Sequence, residues 1–178
     1  MPELQLQLIR HPEPEVGPGV CYGQLDLPLK PGWERACDSL LGEIVRPRRI
    51  LTSPLRRCLE PARYLGEHLD CPVTEEPGLR ELSFGDWEGR LWEEFDGAES
   101  RAWAADYVHR HPPGGESFLE LSERVHAALR SEAKTGGSLL VMTHAGPIRA
   151  LLAHFHDQPL TRAMDFELPY LSVTRIRL

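Results

Sequence analysis

Four short stretches hold the side chains able to do chemistry. Arg10-His11 closes an apolar run, Leu6-Gln-Leu-Ile9, and Pro12 follows at once. Ser53-Pro-Leu-Arg56-Arg57 follows a second run at Ile50-Leu51, and Thr143-His144-Ala145 follows a third, Leu139-Leu-Val-Met142. The fourth stretch, Leu79-Arg-Glu81-Leu-Ser-Phe-Gly-Asp86-Trp-Glu88-Gly89, is a tightly turned loop with three carboxylates. Imidazole is a competent nucleophile toward phosphorus when its ring is oriented and its attacking nitrogen is bare. Two arginines and two histidines around a helix start would make a site for a dianion such as phosphate. A carboxyl group on the loop would supply the acid that a leaving oxygen needs.

Those groups are far apart in sequence, so strands must carry them together. Leu4, Leu6 and Leu8 share one face at period two, which predicts a strand that Pro12 stops near His11. Parallel strands deliver their carboxyl ends to one edge, where ligands of open α/β sheets bind. The proline- and glycine-rich residues 12–31 read as a long loop forming a rim over that edge, pinned by Leu25, Leu27 and Leu29. Pro31-Gly32 opens a helix with Trp33, Cys37, Leu40, Leu41 and Ile44 on one face, ended by Pro47. A second strand at 49–53 leads into a helix capped by Ser53, with Pro54 as its first residue. Its expected stripe is Leu55, Leu59, Ala62, Leu65 and Leu69, with a kink at Pro61.

Residues 71–74 suggest a third strand, and 91–107 two short helical pieces. Ser117-Phe-Leu-Glu120 is a capping box opening a helix with Phe118, Leu121, Val125, Ala128 and Leu129 inward, broken at Gly136-Gly137. Residues 138–143 are a buried strand, the helix after them turns Ile148, Leu151, Leu152 and Phe155 inward, and 171–176 alternate as a last strand. The alternation predicts a three-layer α/β/α sandwich with a mostly parallel central sheet, residues 1–178 forming a single domain.

Composition sets outer bounds. The net charge of −7 argues against nucleic acid as a partner. No run of about 18 apolar residues predicts a membrane span, and the amino terminus lacks a basic segment followed by an apolar one, so a cytoplasmic location is expected. Cys21, Cys37, Cys58 and Cys71 have no close spacing, so reduced, packed thiols are expected. His109/His111 and His154/His156 are pairs two apart, which do not face the same way on a helix, so no metal site and no cofactor are predicted.

Taken together, LIRHPEP, SPLRRC, LRELSFGDWEG, PPGGES and MTHAGPIR resemble, in order, the motifs of the histidine phosphatase superfamily, phosphoglycerate-mutase-like branch. The resemblance implies that His11 is the residue phosphorylated in turnover. It further implies that Arg10, Arg57 and His144 hold the phosphoryl oxygens and that Glu81 is the proton donor. Arg56 is then solvent-facing or salt-bridged, and Asp86 and Glu88 are solvated loop residues or salt-bridge partners. Tyr22, Gly23, Gln24, Glu116, Ser117 and Ala145 are expected at the substrate mouth, along with segments 17–29 and 91–113.

The partner would be a small-molecule phosphomonoester, hydrolysed without metal at neutral or mildly acidic pH. Within the family, CYGQLDLPL and the short insertions are most similar to the alpha-ribazole phosphatases of cobalamin synthesis; broad-specificity phosphatases share most of these features. The alternatives are a cofactor-dependent phosphoglycerate mutase and a catalytically silent phosphate-binding or adaptor protein. Two departures stand out: Pro12 replaces a glycine and so removes an N–H from the site, and Pro61 replaces a frequent threonine.

Overall fold

The structure is a computed structural model and describes residues 4–95 and 97–177. A five-stranded sheet runs in the order β3-β2-β4-β1-β5, with β1 at Leu4–Arg10, β2 at Arg49–Thr52, β3 at Val73–Glu75, β4 at Gly137–Thr143 and β5 at Val173–Arg177. All neighbours pair in parallel except β5, which runs antiparallel along β1. Helices cover both faces, so the expected three-layer sandwich is the one observed.

Strand alternation sorts the core into two halves. Leu4, Leu6 and Leu8 of β1, with Leu139 and Val141 of β4, pack under α4 (Phe118–Leu129) and α5 (Ala145–Phe155). Ile9, Ile50, Leu140 and Met142 point the other way, onto α1 (Trp33–Leu41) and α2 (Arg56–Leu69). A short α3 (Ala98–Ala105) packs Trp103 against the first half, and a one-turn helix lies at Trp92–Phe95. Among the described residues, no helix is long and apolar enough to cross a membrane.

Several boundaries differ from the sequence reading, for local reasons. Helix α1 ends at Leu41 rather than near Pro47, because Gly42 caps it and the chain turns away there. The cap of α2 is Leu55, not Ser53, so the helix starts two residues later than Pro54. Its buried stripe becomes Cys58, Pro61, Ala62, Leu65 and Gly66, while Leu59 and Leu69 are only half-buried. Arg57 shares that buried face and is wholly inaccessible. The Ser117–Glu120 capping box is present as read, but α4 ends at Leu129, well before Gly136. The long rim loop is pinned by bridges Pro14–Leu29 and Val20–Leu91.

One buried polar residue ties the sheet to the loop after α1. Gln7 is inaccessible; its Nε2 donates to the Val45 carbonyl at 2.6 Å and to Ser138 Oγ at 2.9 Å, and its Oε1 accepts from Val45 N at 2.8 Å. Leucine of similar volume would leave both Val45 backbone groups without these partners. Gln7→Leu should therefore lower the unfolding free energy by about 2 kcal/mol in a urea titration, the scale for stranding buried polar groups. A variant as stable as the parent would show that water replaces the glutamine there.

Candidate active site

The strand order places the chemistry. Strands β2, β4 and β1 are adjacent and parallel, with Thr52 opposite Met142 and Arg10 opposite Thr143. The next residue of each strand therefore emerges at one edge: Ser53, His144 and His11. His11 N–H donates to the Thr143 carbonyl at 3.0 Å, and Ser53 N–H to the Met142 carbonyl at 3.1 Å, so each junction is fixed by a last ladder bond.

The His11 ring is almost fully buried, and its Nδ1 lies 2.6 Å from the Pro12 carbonyl. A carbonyl can only accept, so Nδ1 carries the hydrogen and Nε2 keeps its lone pair. Burial, then the Arg57 charge and then that of Arg10 hold the ring well below its ordinary 6.5, against a raising contribution from the Pro12 bond. The proline that removes an N–H thus contributes the carbonyl that sets the tautomer.

His144 caps α5, and its ring meets that of His11 edge-on, centroids 5.0 Å apart. Its Nε2 is 2.8 Å from Ser53 Oγ and 3.4 Å from Cys58 Sγ. It too is pushed well down, by burial first, then Arg57 and His11.

Two guanidinia flank the imidazoles. Arg10 donates to the Leu168 carbonyl at 2.5 Å and lies 4.0 Å over the Tyr170 ring. Arg57 gives Nη1 to the Leu25 carbonyl and Nη2 to the Gly23 carbonyl, both at 2.6 Å. In both residues Nε is buried without a partner. Guanidinium N–H donors of this kind give strong, charge-assisted hydrogen bonds to phosphoryl oxygens. Arg56 faces solvent and pairs with Glu60 at 2.9 Å.

Glu81 comes to the same edge from the loop. Its Oε1 accepts from Leu82 N at 2.9 Å and Gly146 N at 3.1 Å, with Oε2 3.2 Å from Gly146 N. The first turn of α5 thus holds this carboxylate. A Cβ at 146 would lie 2.1 Å from Glu81 Oε1, so a side chain there would displace the carboxylate. The Glu81 carbonyl receives Arg124 Nη2 at 2.8 Å and Gln24 Nε2 at 3.0 Å. Arg124 also binds the carbonyls of Gly78 and Arg80 and pairs with Glu116 at 2.6 Å, so α4 anchors the whole loop. Glu88 accepts from Gln24 N and Phe84 N, both at 2.9 Å, a backbone clamp rather than a salt bridge.

A cavity of about 410 Å³ opens at this edge, lined by Arg10, His11, Glu81 and Tyr22 among others, while Arg57 and His144 are buried and do not line it. Of the mouth residues read from sequence, Tyr22 lines it and five do not. The Gly23 carbonyl is spent on Arg57, and Gln24 braces Glu81 and Glu88. Glu116 binds Ser83 N and Arg124, and Ser117 caps α4. Ala145 is buried behind Gly146, the α5 residue that reaches the cavity. Sequence reasoning missed Leu82, Phe84, Phe118, Gly146, Arg149 and Met164 as lining residues. Arg149 was findable: three residues beyond Gly146 on a helix, it shares that face. Met164 was not, since it arrives on the irregular helical turn Leu160–Asp165. Among the described residues, no group of three or more histidine, cysteine, aspartate or glutamate side chains could hold a metal ion.

The model of the histidine phosphatase superfamily, branch 1, matches residues 6–178. The adenosylcobalamin/alpha-ribazole phosphatase of Escherichia coli K12 is 33% identical over 174 residues, covering 93% of this chain and 85% of that protein. The probable phosphoglycerate mutase GpmB of Klebsiella pneumoniae is 32% identical over 183 residues, covering 97% and 84%. The solved alpha-ribazole phosphatase of Shigella flexneri superposes with a TM-score of 0.86 at 28% identity, covering 97% of this chain and 89% of that one. The chain belongs to the histidine phosphatase superfamily, in which a phosphohistidine mechanism is general.

The depressed imidazoles have a consequence for folding. The unfolded chain binds protons near pH 6.5 that folded His11 and His144 refuse, so their stability is intact above pH 6.5 and lost as pH falls below it. Each contributes a slope of about 1.4 kcal/mol per pH unit in that range. Urea unfolding between pH 7 and 5 should show this loss, and His11→Asn should flatten it by about one proton. An unchanged slope in the variant would mean that His11 is protonated in the folded chain.

Proposed function

We propose that this chain hydrolyses phosphomonoesters by way of a phosphohistidine at His11. The observation that carries the reading is the buried His11 ring, fixed by the Pro12 carbonyl with its bare Nε2 among Arg10, Arg57 and His144. The phosphoryl group docks beside His11, drawn by the Arg10 guanidinium at the cavity and the buried Arg57 charge behind it. Nε2 attacks phosphorus in line, the ester P–O bond breaks, and Glu81 gives its proton to the departing oxygen. Water then attacks the phosphohistidine, Glu81 takes the proton back, and inorganic phosphate leaves with His11 restored.

The guanidinia stabilise the charge spread over the equatorial oxygens, the part of phosphoryl transfer that gains most from preorganised donors. A docked dianion also favours a protonated His144, so this imidazole changes from a hydrogen-bond partner to a cation as substrate enters. The reading uses no metal, because arginine and histidine carry that charge. Pro12 takes no part as a donor, and the arginine donors serve in its place. The same site is the basis for placing alpha-ribazole 5'-phosphate among the esters to be tried.

Glu81→Gln tests the assignment of the acid. An aryl phosphate such as p-nitrophenyl phosphate has a leaving group that needs little protonation, so its burst of phenolate should remain fairly fast. An alkyl phosphate should slow by roughly 100-fold or more, the span of general acid catalysis. Equal impairment of both bond-breaking steps would contradict the role of Glu81 and shift attention to Asp86 and Glu88.

A further inference from the structure

Beyond the phosphoryl site, the cavity changes character abruptly. Its floor carries Arg10, His11, Glu81 and Arg149; its wall is Val20, Phe84, Trp92, Trp103, Phe118 and Met164. The aromatic wall is a braced lattice. Phe84 meets Trp92 and Trp103 edge-on at 5.3 and 5.7 Å, and Trp87 backs Trp103 edge-on at 5.6 Å. Trp92 and Met164, at its lips, are 38% and 43% exposed, two of the four large exposed hydrophobics among the described residues. Apolar side chains held open to water beside a reactive site mark a surface made to be covered by ligand.

The polar inventory of the wall is short. The Tyr22 hydroxyl is 3.0 Å from that of Tyr170, and Trp103 Nε1 is buried without a partner. A polyol seated here would lose its water and find almost nothing to bond, which costs binding.

The charges are also spoken for. Arg10, with the buried Arg57 charge behind it, serves the phosphoryl dianion in the proposed function. Arg149 gives Nε to the Phe166 carbonyl at 3.1 Å, and burial lowers its pKa against the opposing pull of the nearby Glu81 carboxylate. Arg124 is paired with Glu116. The cationic side chains that line the cavity, Arg10 and Arg149, lie on its floor with His11 and Glu81, and the wall itself carries no charged side chain to receive a second anionic group.

We infer that the alcohol part of the substrate is an uncharged group bearing an apolar, planar ring system, which stacks on the Phe84, Trp92 and Trp103 wall. The inference rests on the proposed function. It separates the alternatives suggested by the relatives: a ring-bearing ester fits this wall, and a phosphoglycerate does not. The wall stabilises the ring through burial and edge or face contacts, which a rigid aromatic lattice supplies without reordering.

The experiment measures kcat/KM for three alkyl phosphates whose alcohols differ little in basicity: 2-(2-naphthyl)ethyl phosphate, glycerol 1-phosphate and 3-phosphoglycerate. The naphthyl ester should be favoured over both by roughly 30-fold or more, the discrimination that several buried methylene equivalents give. Trp92→Ala and Met164→Glu should each cut that ratio about tenfold. The second change sits on an exposed side chain, so folding is not at stake. Equal rates for the three esters, or a ratio unmoved in both variants, would overturn the ring pocket while leaving the phosphatase reading in place. Preference for 3-phosphoglycerate would overturn it too and make Arg149 a carboxylate ligand. If none of the esters, p-nitrophenyl phosphate included, were hydrolysed, the functional reading itself would fail and the pocket assignment with it.

Discussion

Gathering two buried imidazoles, a buried guanidinium and a half-buried one in one place is the constraint on which the rest of this structure depends. A buried charge without partners is costly, and four groups able to carry positive charge within one cluster would repel one another. The molecule meets the difficulty in two ways. The imidazoles are held neutral, through burial and the nearby Arg57 charge. The guanidinia stay charged and spend part of their donors on backbone carbonyls at Leu168, Gly23 and Leu25. Of the two, the Arg10 guanidinium reaches the cavity, with the buried Arg57 charge behind it.

This makes the loops structural dependants of the site, and the site a dependant of the loops. The rim loop offers two carbonyls to Arg57, so the arginine holds the segment that covers it. The acid loop is gripped from α4, where Arg124 takes three carbonyls and Glu116 together. Glu81 then reaches the first turn of α5 only because residue 146 has no Cβ. Each catalytic candidate is thus positioned by an element other than the one that carries it.

That interdependence explains what could and could not be read from the residues. The three strand ends were legible because each apolar run stops at a residue with chemistry and the next segment starts a helix; parallel pairing does the rest. The capping box at Ser117 was legible because it is local. The face of α2 was legible in part: Leu55, Ala62 and Leu65 are buried, but Cys58 is buried rather than Leu59, and a charged residue, Arg57, takes a buried place that hydrophobicity alone does not assign. The mouth was least legible. Glu116, Ser117, Gly23 and Gln24 stand in motifs beside the site, yet they serve as braces, and no spacing separates a brace from a ligand. The apolar wall forms from Phe84, Trp92, Trp103 and Met164, brought together by tertiary packing that no single periodic pattern records.

The state of the His11 ring decides whether the fold presents a nucleophile. Long-range ¹⁵N–¹H correlation spectra of histidine-labelled protein report which ring nitrogen carries hydrogen and when the second becomes protonated. With Nδ1–H donated to the Pro12 carbonyl and the ring buried beside two guanidinia, the prediction is a neutral Nδ1–H tautomer that persists as pH is lowered through 6.5 toward 5. A ring found as the Nε2–H tautomer, or one titrating near its ordinary 6.5, would contradict the claim that the fold presents a bare Nε2 as the nucleophile.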